Sequence, residues 1–233
     1  MRETSLAESM PPVTKNLLII NGIMWLACVI FEYTDSRVDL MGMLGMHFFL
    51  AEWFMPHQMV TYMFLHSIGF GGGISFSHLF FNMFAVFVFG MAIEAMWGSR
   101  RFLGYYLLTG VGAGIVQQVV WYLTIPSVYY TDAAEMAVLN SLLTVGASGA
   151  VFGILLAFGV MFPNVKMFLL FVPIGIKAKY LVVGYGLLEL GLGVLNRPGD
   201  SVAHFAHLGG MVFGLVMVLY WKRKGRLYGG RFK

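Results

Sequence analysis

In the run GASGAVFG, residues 146–153, one hydroxyl side chain stands among small and apolar neighbours: Ser148. Two histidines, His204 and His207, open a second apolar run, and His78 and Asn82 open a third. A serine hydroxyl is a weak nucleophile until a base takes its proton, and imidazole titrates in the range that suits this task. Ser148 with His207 is a candidate nucleophile–base pair, although spacing alone does not choose between His204 and His207. His78 and Asn82, at i and i+4, share one helix face and both can donate hydrogen bonds. With the Ser148 N–H at a helix start, they are candidates for an oxyanion site. Gly146 and Gly149 flank the serine and would let a substrate backbone approach closely.

Other chemistries fit less well. His204 and His207 have a possible metal-binding spacing, but no HExxH occurs, and the only acids inside apolar runs are Glu94 and Glu189. The expectation is therefore no metal and no cofactor. A GxGxG run, Gly110 to Gly114, has no strand before it and reads as close helix packing, not as a dinucleotide loop.

The elements that would position these groups are membrane helices. The 233 residues are 59% hydrophobic and 11% charged, with a mean hydropathy of +0.78. A soluble domain carries about 25% charged residues, so this chain lacks the polar surface to cover a water-exposed globule. The expected class is an all-α membrane protein with six transmembrane helices, at residues 16–31, 77–97, 101–123, 146–162, 177–195 and 202–221. Residues 32–77 are too polar and broken for one span and read as a long interfacial first outer loop with short amphipathic helices, in which His47, His57 and His66 are interfacial. Residues 124–145 read as a polar connection, and residues 163–177 as a proline-bounded turn. A polar tail, residues 1–15, precedes the membrane domain at 16–221, and a basic tail, 222–233, follows it. The first fifteen residues do not resemble a cleavable signal. Cys28, the single cysteine, lies in an apolar run and reads as a packing residue.

Six spans put both termini on one side, and that side receives every Lys and Arg except Arg37 and Arg197. This asymmetry predicts cytoplasmic termini. It also explains the net charge of +4 without a nucleic-acid partner, because a basic tail beside anionic headgroups suffices. With that orientation Ser148 lies two or three residues below the outer surface, and His78, Asn82, His204 and His207 occupy the outer ends of their own spans. Polar residues inside a membrane are costly, so their convergence at one depth points to function.

Together, GASGAVFG at the fourth span, AHLGG followed by MVFG in the sixth and HLFFN in the second resemble the rhomboid intramembrane serine proteases. The resemblance covers all six spans, the long first outer loop and the Glu94-x-x-Trp97-Gly98 turn. It implies a rhomboid-like bundle in which Ser148 is the nucleophile and His207 the general base, a dyad with no third, carboxylate member. It further implies that His78 and Asn82 hold the oxyanion with the Ser148 amide and that Phe152 packs on the base. His204 receives no catalytic role from the motif and is left to packing or water. The substrates implied are single-span membrane proteins, cut in or beside the bilayer where an extended backbone exposes its carbonyls. Residues 196–201 resemble a cap over the site and the fifth span a lateral gate.

Two rivals differ in class. A client-binding pseudoprotease would be expected to lack Ser148 or His207, and both are present. A small transporter would place its polar residues near the midplane and often show inverted repeats, and no repeat is apparent here. A bacterial inner membrane is the expected location, from the compact chain and the absence of a transit peptide.

Overall fold

Pro12, whose missing N–H costs nothing at a first helical position, opens α1, Pro12–Tyr33. The first-turn donors of α1 find an acceptor on a distant helix: Glu94 accepts from the N–H of Val13 at 3.0 Å, from the N–H of Thr14 at 2.7 Å and from the Thr14 hydroxyl at 2.8 Å. Ser99 Oγ donates to the same carboxylate at 2.7 Å. This accounts for an acid in an apolar span: it caps a helix end whose N–H groups lack intrahelical partners.

The computed structural model describes residues 10–34, 37–69, 74–126, 136–168, 174–195 and 203–228. After α1 come α2 (Leu40–Leu44), β1 (Met46–His47) and α3 (Gln58–Thr61). The longer α4, Ser77–Trp97, carries a π-turn at Val86–Gly90. Gly98, at φ +77°, makes the sharp turn into α5, Ser99–Thr124. Next are α6 (Met136–Ser141), β2 (Leu143–Thr144), α7 (Ser148–Met161), β3 (Lys166–Phe168), β4 (Gly175–Lys177), α8 (Ala178–Leu195) and α9 (His204–Arg223).

Five of these helices, α1, α4, α5, α8 and α9, are long and apolar enough to cross a membrane. The sixth expected span, α7, is only 14 residues, about 21 Å long against a hydrocarbon core of about 30 Å. The helix starts at Ser148 and not at Gly146, because Gly146 takes φ +135° and its N–H donates to the Tyr62 carbonyl at 3.0 Å.

At the centre, α5, α7 and α9 lie close enough that glycine is required between them. A Cβ on Gly112 would meet the Phe213 ring, one on Gly209 would meet Val116 Cβ at 2.7 Å, and one on Gly210 would strike the Gly149 carbonyl. Tyr105 Oη seals the layer by donating to the Gly153 carbonyl at 2.8 Å. In the GxGxG run only Gly112 packs against a long helix, facing Phe213 of α9; Gly110 faces Met63 and Gly114 faces Met46, both in the segment between α1 and α4. Cys28 is buried among Leu65, Ile68 and Met24.

Three expectations are corrected. Residues 124–145 are more than a polar connection, since α6 and β2 lie within them and β2 pairs antiparallel with β1, Met46 opposite Thr144. Residues 163–177 contain an antiparallel pair, β3 with β4, in place of a simple turn. Of the three loop histidines, His47 and His66 are buried and only His57 is exposed. The segment between α1 and α4 is a folded unit because polar side chains reach its backbone: Gln118 Nε2 of α5 donates to the His47 carbonyl at 2.7 Å, and Gln118 Oε1 accepts from the Phe49 N–H at 2.9 Å. Residues 1–9, residues 196–201 with the expected cap, and the end of the basic tail at 229–233 lie outside the described residues.

Candidate active site

Ser148 is the first residue of α7. No preceding turn occupies its N–H: the first bond within this helix start is Val151 N–H to the Ala147 carbonyl at 3.0 Å. The serine thus combines a side-chain hydroxyl with free backbone donors at the positive end of a helix dipole.

His207 lies on the first turn of α9, the helix most closely knit to α7. Its Nε2 is 2.8 Å from Ser148 Oγ, and its Nδ1 is 2.9 Å from Glu189 Oε2 of α8. An ionised carboxylate only accepts, so Nδ1 carries the hydrogen and Nε2 presents its lone pair to the serine hydroxyl. Phe152, one turn after the serine, stacks on the imidazole with ring centroids 4.4 Å apart and planes 8° from parallel. Ring plane and tautomer are both set by neighbours.

His78 and Asn82 approach from α4. The Ser67 N–H donates to His78 Nδ1 at 3.1 Å, which leaves the ring hydrogen on Nε2. A Cβ on Gly146 would stand 3.1 Å from that Nε2 and 3.5 Å from Ser148 Oγ. Gly146 is therefore needed twice, for its positive φ and for the space beside the imidazole. Asn82 Nδ2 donates to the His78 carbonyl one turn back at 2.9 Å, keeping one N–H, while its buried Oδ1 has no partner among the described residues. Behind His78 stands His66, edge-on with centroids 5.0 Å apart. Burial, and secondarily the neighbouring His78, push His66 down to about 3, so it is a neutral wall.

A cavity of about 1720 Å³ opens onto this group and is lined by Ser148, His207, Phe152, His78, Asn82 and Gly146. The structure thus gathers the residues expected from the sequence around one opening. Gly149 also lines the cavity, and the space where its Cβ would stand is taken by Ala113 of α5, so this glycine serves helix packing as well. His204 is not a simple packing residue, since its Nδ1 is 2.6 Å from the same Glu189 Oε2. The absence of a carboxylate beside the base, expected from the resemblance, is corrected by Glu189. One signal for it was available: an acid in an apolar span is a functional candidate by default.

Glu189, His204 and His207 are also the described residues that could hold a metal ion, with ligand atoms all within 4.8 Å of one another. Ligand atoms around a tetrahedral zinc, each about 2.1 Å from the ion, stand about 3.4 Å apart. The 2.6 and 2.9 Å separations here are those of charge-assisted hydrogen bonds.

What this arrangement can do is deprotonate a serine and stabilise negative charge beside it. A family model described as Rhomboid domain matches residues 53–224. The mitochondrial Rhomboid protein 1 of Saccharomyces cerevisiae is 30% identical over 147 residues, covering 62% of this chain and 38% of the yeast protein. Rhomboid protease AarA of Providencia stuartii is 27% identical over 224 residues, covering 89% of this chain and 72% of its own length. With its several apolar helices and a match over most of its length, this multi-pass integral membrane protein belongs to the rhomboid family of intramembrane serine proteases.

Proposed function

We propose that the chain is a serine endopeptidase that hydrolyses peptide bonds in or next to the transmembrane segments of single-span membrane proteins, with Ser148 as nucleophile and His207 as general base. The observation that carries this reading is the 2.8 Å contact between His207 Nε2 and Ser148 Oγ, with the opposite ring nitrogen tied to a carboxylate. Ser148 Oγ attacks the scissile carbonyl carbon while its proton passes to Nε2. The carbonyl oxygen takes the negative charge and receives hydrogen bonds from the Ser148 N–H, His78 Nε2–H and Asn82 Nδ2–H. The tetrahedral intermediate collapses as His207 returns the proton to the leaving amine, giving an acyl-serine. Water then repeats the sequence with His207 as base and releases the second product.

The cavity suits an extended segment and not a helix, which hides its carbonyls in internal hydrogen bonds. The Lys and Arg asymmetry supports a membrane domain of residues 16–221 whose tails, 1–15 and 222–233, face the cytoplasm. A cysteine introduced into either tail should then escape a membrane-impermeant thiol reagent in intact cells unless the membrane is opened.

Fluorophosphonate labelling of the purified protein in detergent tests the chemistry. Wild type should be labelled, and Ser148→Ala and His207→Ala should not. A folded wild type that takes no label would favour a client-binding, non-hydrolytic rhomboid.

A further inference from the structure

We infer that Glu189 is a positioning residue for the base, so that the working unit is a hydrogen-bonded line from Ser148 through His207 to Glu189, a carboxylate-assisted serine site inside a membrane bundle. This rests on the protease reading above and extends it.

Three observations carry the inference. Glu189 is buried, 7% exposed, and stands on α8 with its Oε2 2.9 Å from His207 Nδ1. The side of His207 facing away from Ser148 offers this carboxylate, while its own backbone N–H already bonds the Ala203 carbonyl at 3.2 Å. His204 Nδ1, at 2.6 Å, holds the same oxygen from one turn before the base. A carboxylate gripped by two imidazoles is fixed in direction, and its charge is balanced by the imidazolium that forms on His207 when Ser148 gives up its proton. No further reactant is needed: the proton moves from Oγ to Nε2, the hydrogen on Nδ1 stays, and Glu189 remains ionised throughout.

Phe152 constrains only the plane of the ring. A ring flipped by half a turn about its Cβ–Cγ bond would keep that plane, stack equally well and turn its nitrogens away from their partners. The bond to Glu189 distinguishes the two orientations, which stacking cannot. His204 acts through the carboxylate and is a support for it, not an alternative base.

The test is fluorophosphonate labelling kinetics, resolved into a binding constant and a maximal rate, for the full chain in detergent. Wild type, Ser148→Ala, His207→Ala, Glu189→Gln and Glu189→Ala are compared, with a thermal unfolding midpoint for each. Glu189→Ala should lower the maximal rate by about 10²-fold, the scale of losing a partner that orients an imidazole and well short of the roughly 10⁴-fold that a triad carboxylate is worth in a soluble serine protease, with the binding constant and the midpoint unchanged. Glu189→Gln should fall between, because its amide oxygen still accepts from Nδ1 but carries no charge. Glu189→Ala at the wild-type rate, with Ser148→Ala unlabelled, overturns the inference and leaves the protease reading standing. A loss that tracks a lowered midpoint equally in both Glu189 variants overturns it too, as a packing effect. Wild-type labelling of His207→Ala would overturn both readings together.

Discussion

The two halves of the candidate site stand on very different ground. Ser148 and His207 come from α7 and α9, which with α5 pack so closely that backbone meets backbone: Gly210 lies against the Gly149 carbonyl, and Gly214 lies near the Gly153 Cα. The accessory groups come from the flanking helices: His78 and Asn82 from α4, Glu189 from α8. Those flanks touch the trio on one side and are open on the other. On α8, Gly184 and Gly191 have open space where a Cβ would go, and Val183, Leu187, Val194 and Leu195 are exposed; on α4, so are Phe80, Phe81 and Phe84. The reacting pair thus sits on the stiff trio, while the groups that orient it and receive charge ride on helices with lipid at their backs. A membrane gives no hydrophobic drive for helix association, so close approach through small residues is what separates the stiff part from the loose one.

Substitutions can break or sharpen this division. The largest effect expected is on a flank: His78→Ala should cost about 10²- to 10³-fold in turnover, the range for one oxyanion donor, with little change in unfolding midpoint. Asn82→Ala should act in the same sense but more weakly, because one of its N–H groups already serves the His78 carbonyl. Full activity of Asn82→Ala in a turnover assay would remove that residue from the oxyanion role. Next in size is the trio: Gly210→Ala should lose about 1–3 kcal/mol of stability through overpacking, read by thermal unfolding in detergent. A wild-type midpoint there would show the helices free to separate, and the contrast with the flanks would dissolve. His204→Ala should keep activity within about tenfold of wild type, since it acts only through Glu189; a dead variant would reopen the choice of base. The smallest change is Gly184→Ala on α8, expected to be neutral or to stabilise by up to about 1 kcal/mol through better helix propensity.

Much of this was legible before any coordinates. Six apolar runs, their glycines and the polar residues at their ends dictated a helical bundle with Ser148, His207, His78 and Asn82 near one opening, since each lies near the start of its helix. Phe152 followed from its position in the motif, one turn after the serine. What could not be read is rotation about a helix axis. Glu189 is twelve residues into α8, and nothing in its flanks, Leu188 and Leu190, says which way the acid points. The same uncertainty left Gly149 half-read, since it lines the cavity while the place of its missing Cβ is filled by Ala113. Strands of two residues, such as β1 and β2, are too short to leave an alternating pattern, and the burial of His47 and His66 depends on how the loop folds over them.

The Glu94 carboxylate implies an order of assembly. Its partners, Val13 and Thr14, precede it by about eighty residues. At about 5–20 residues per second, α1 emerges some 4–16 s before the acid that completes its first turn exists. During that interval water at the headgroups must serve those N–H groups, which holds the amino end of α1 at the surface. Only when α4 arrives does the end of the first helix become fixed, and Ser99 closes the same junction at the start of α5. The first helix made is thus not locked in place until the next long helix is complete, and a Glu94→Gln chain would be expected to show this as slowed maturation before any loss of chemistry.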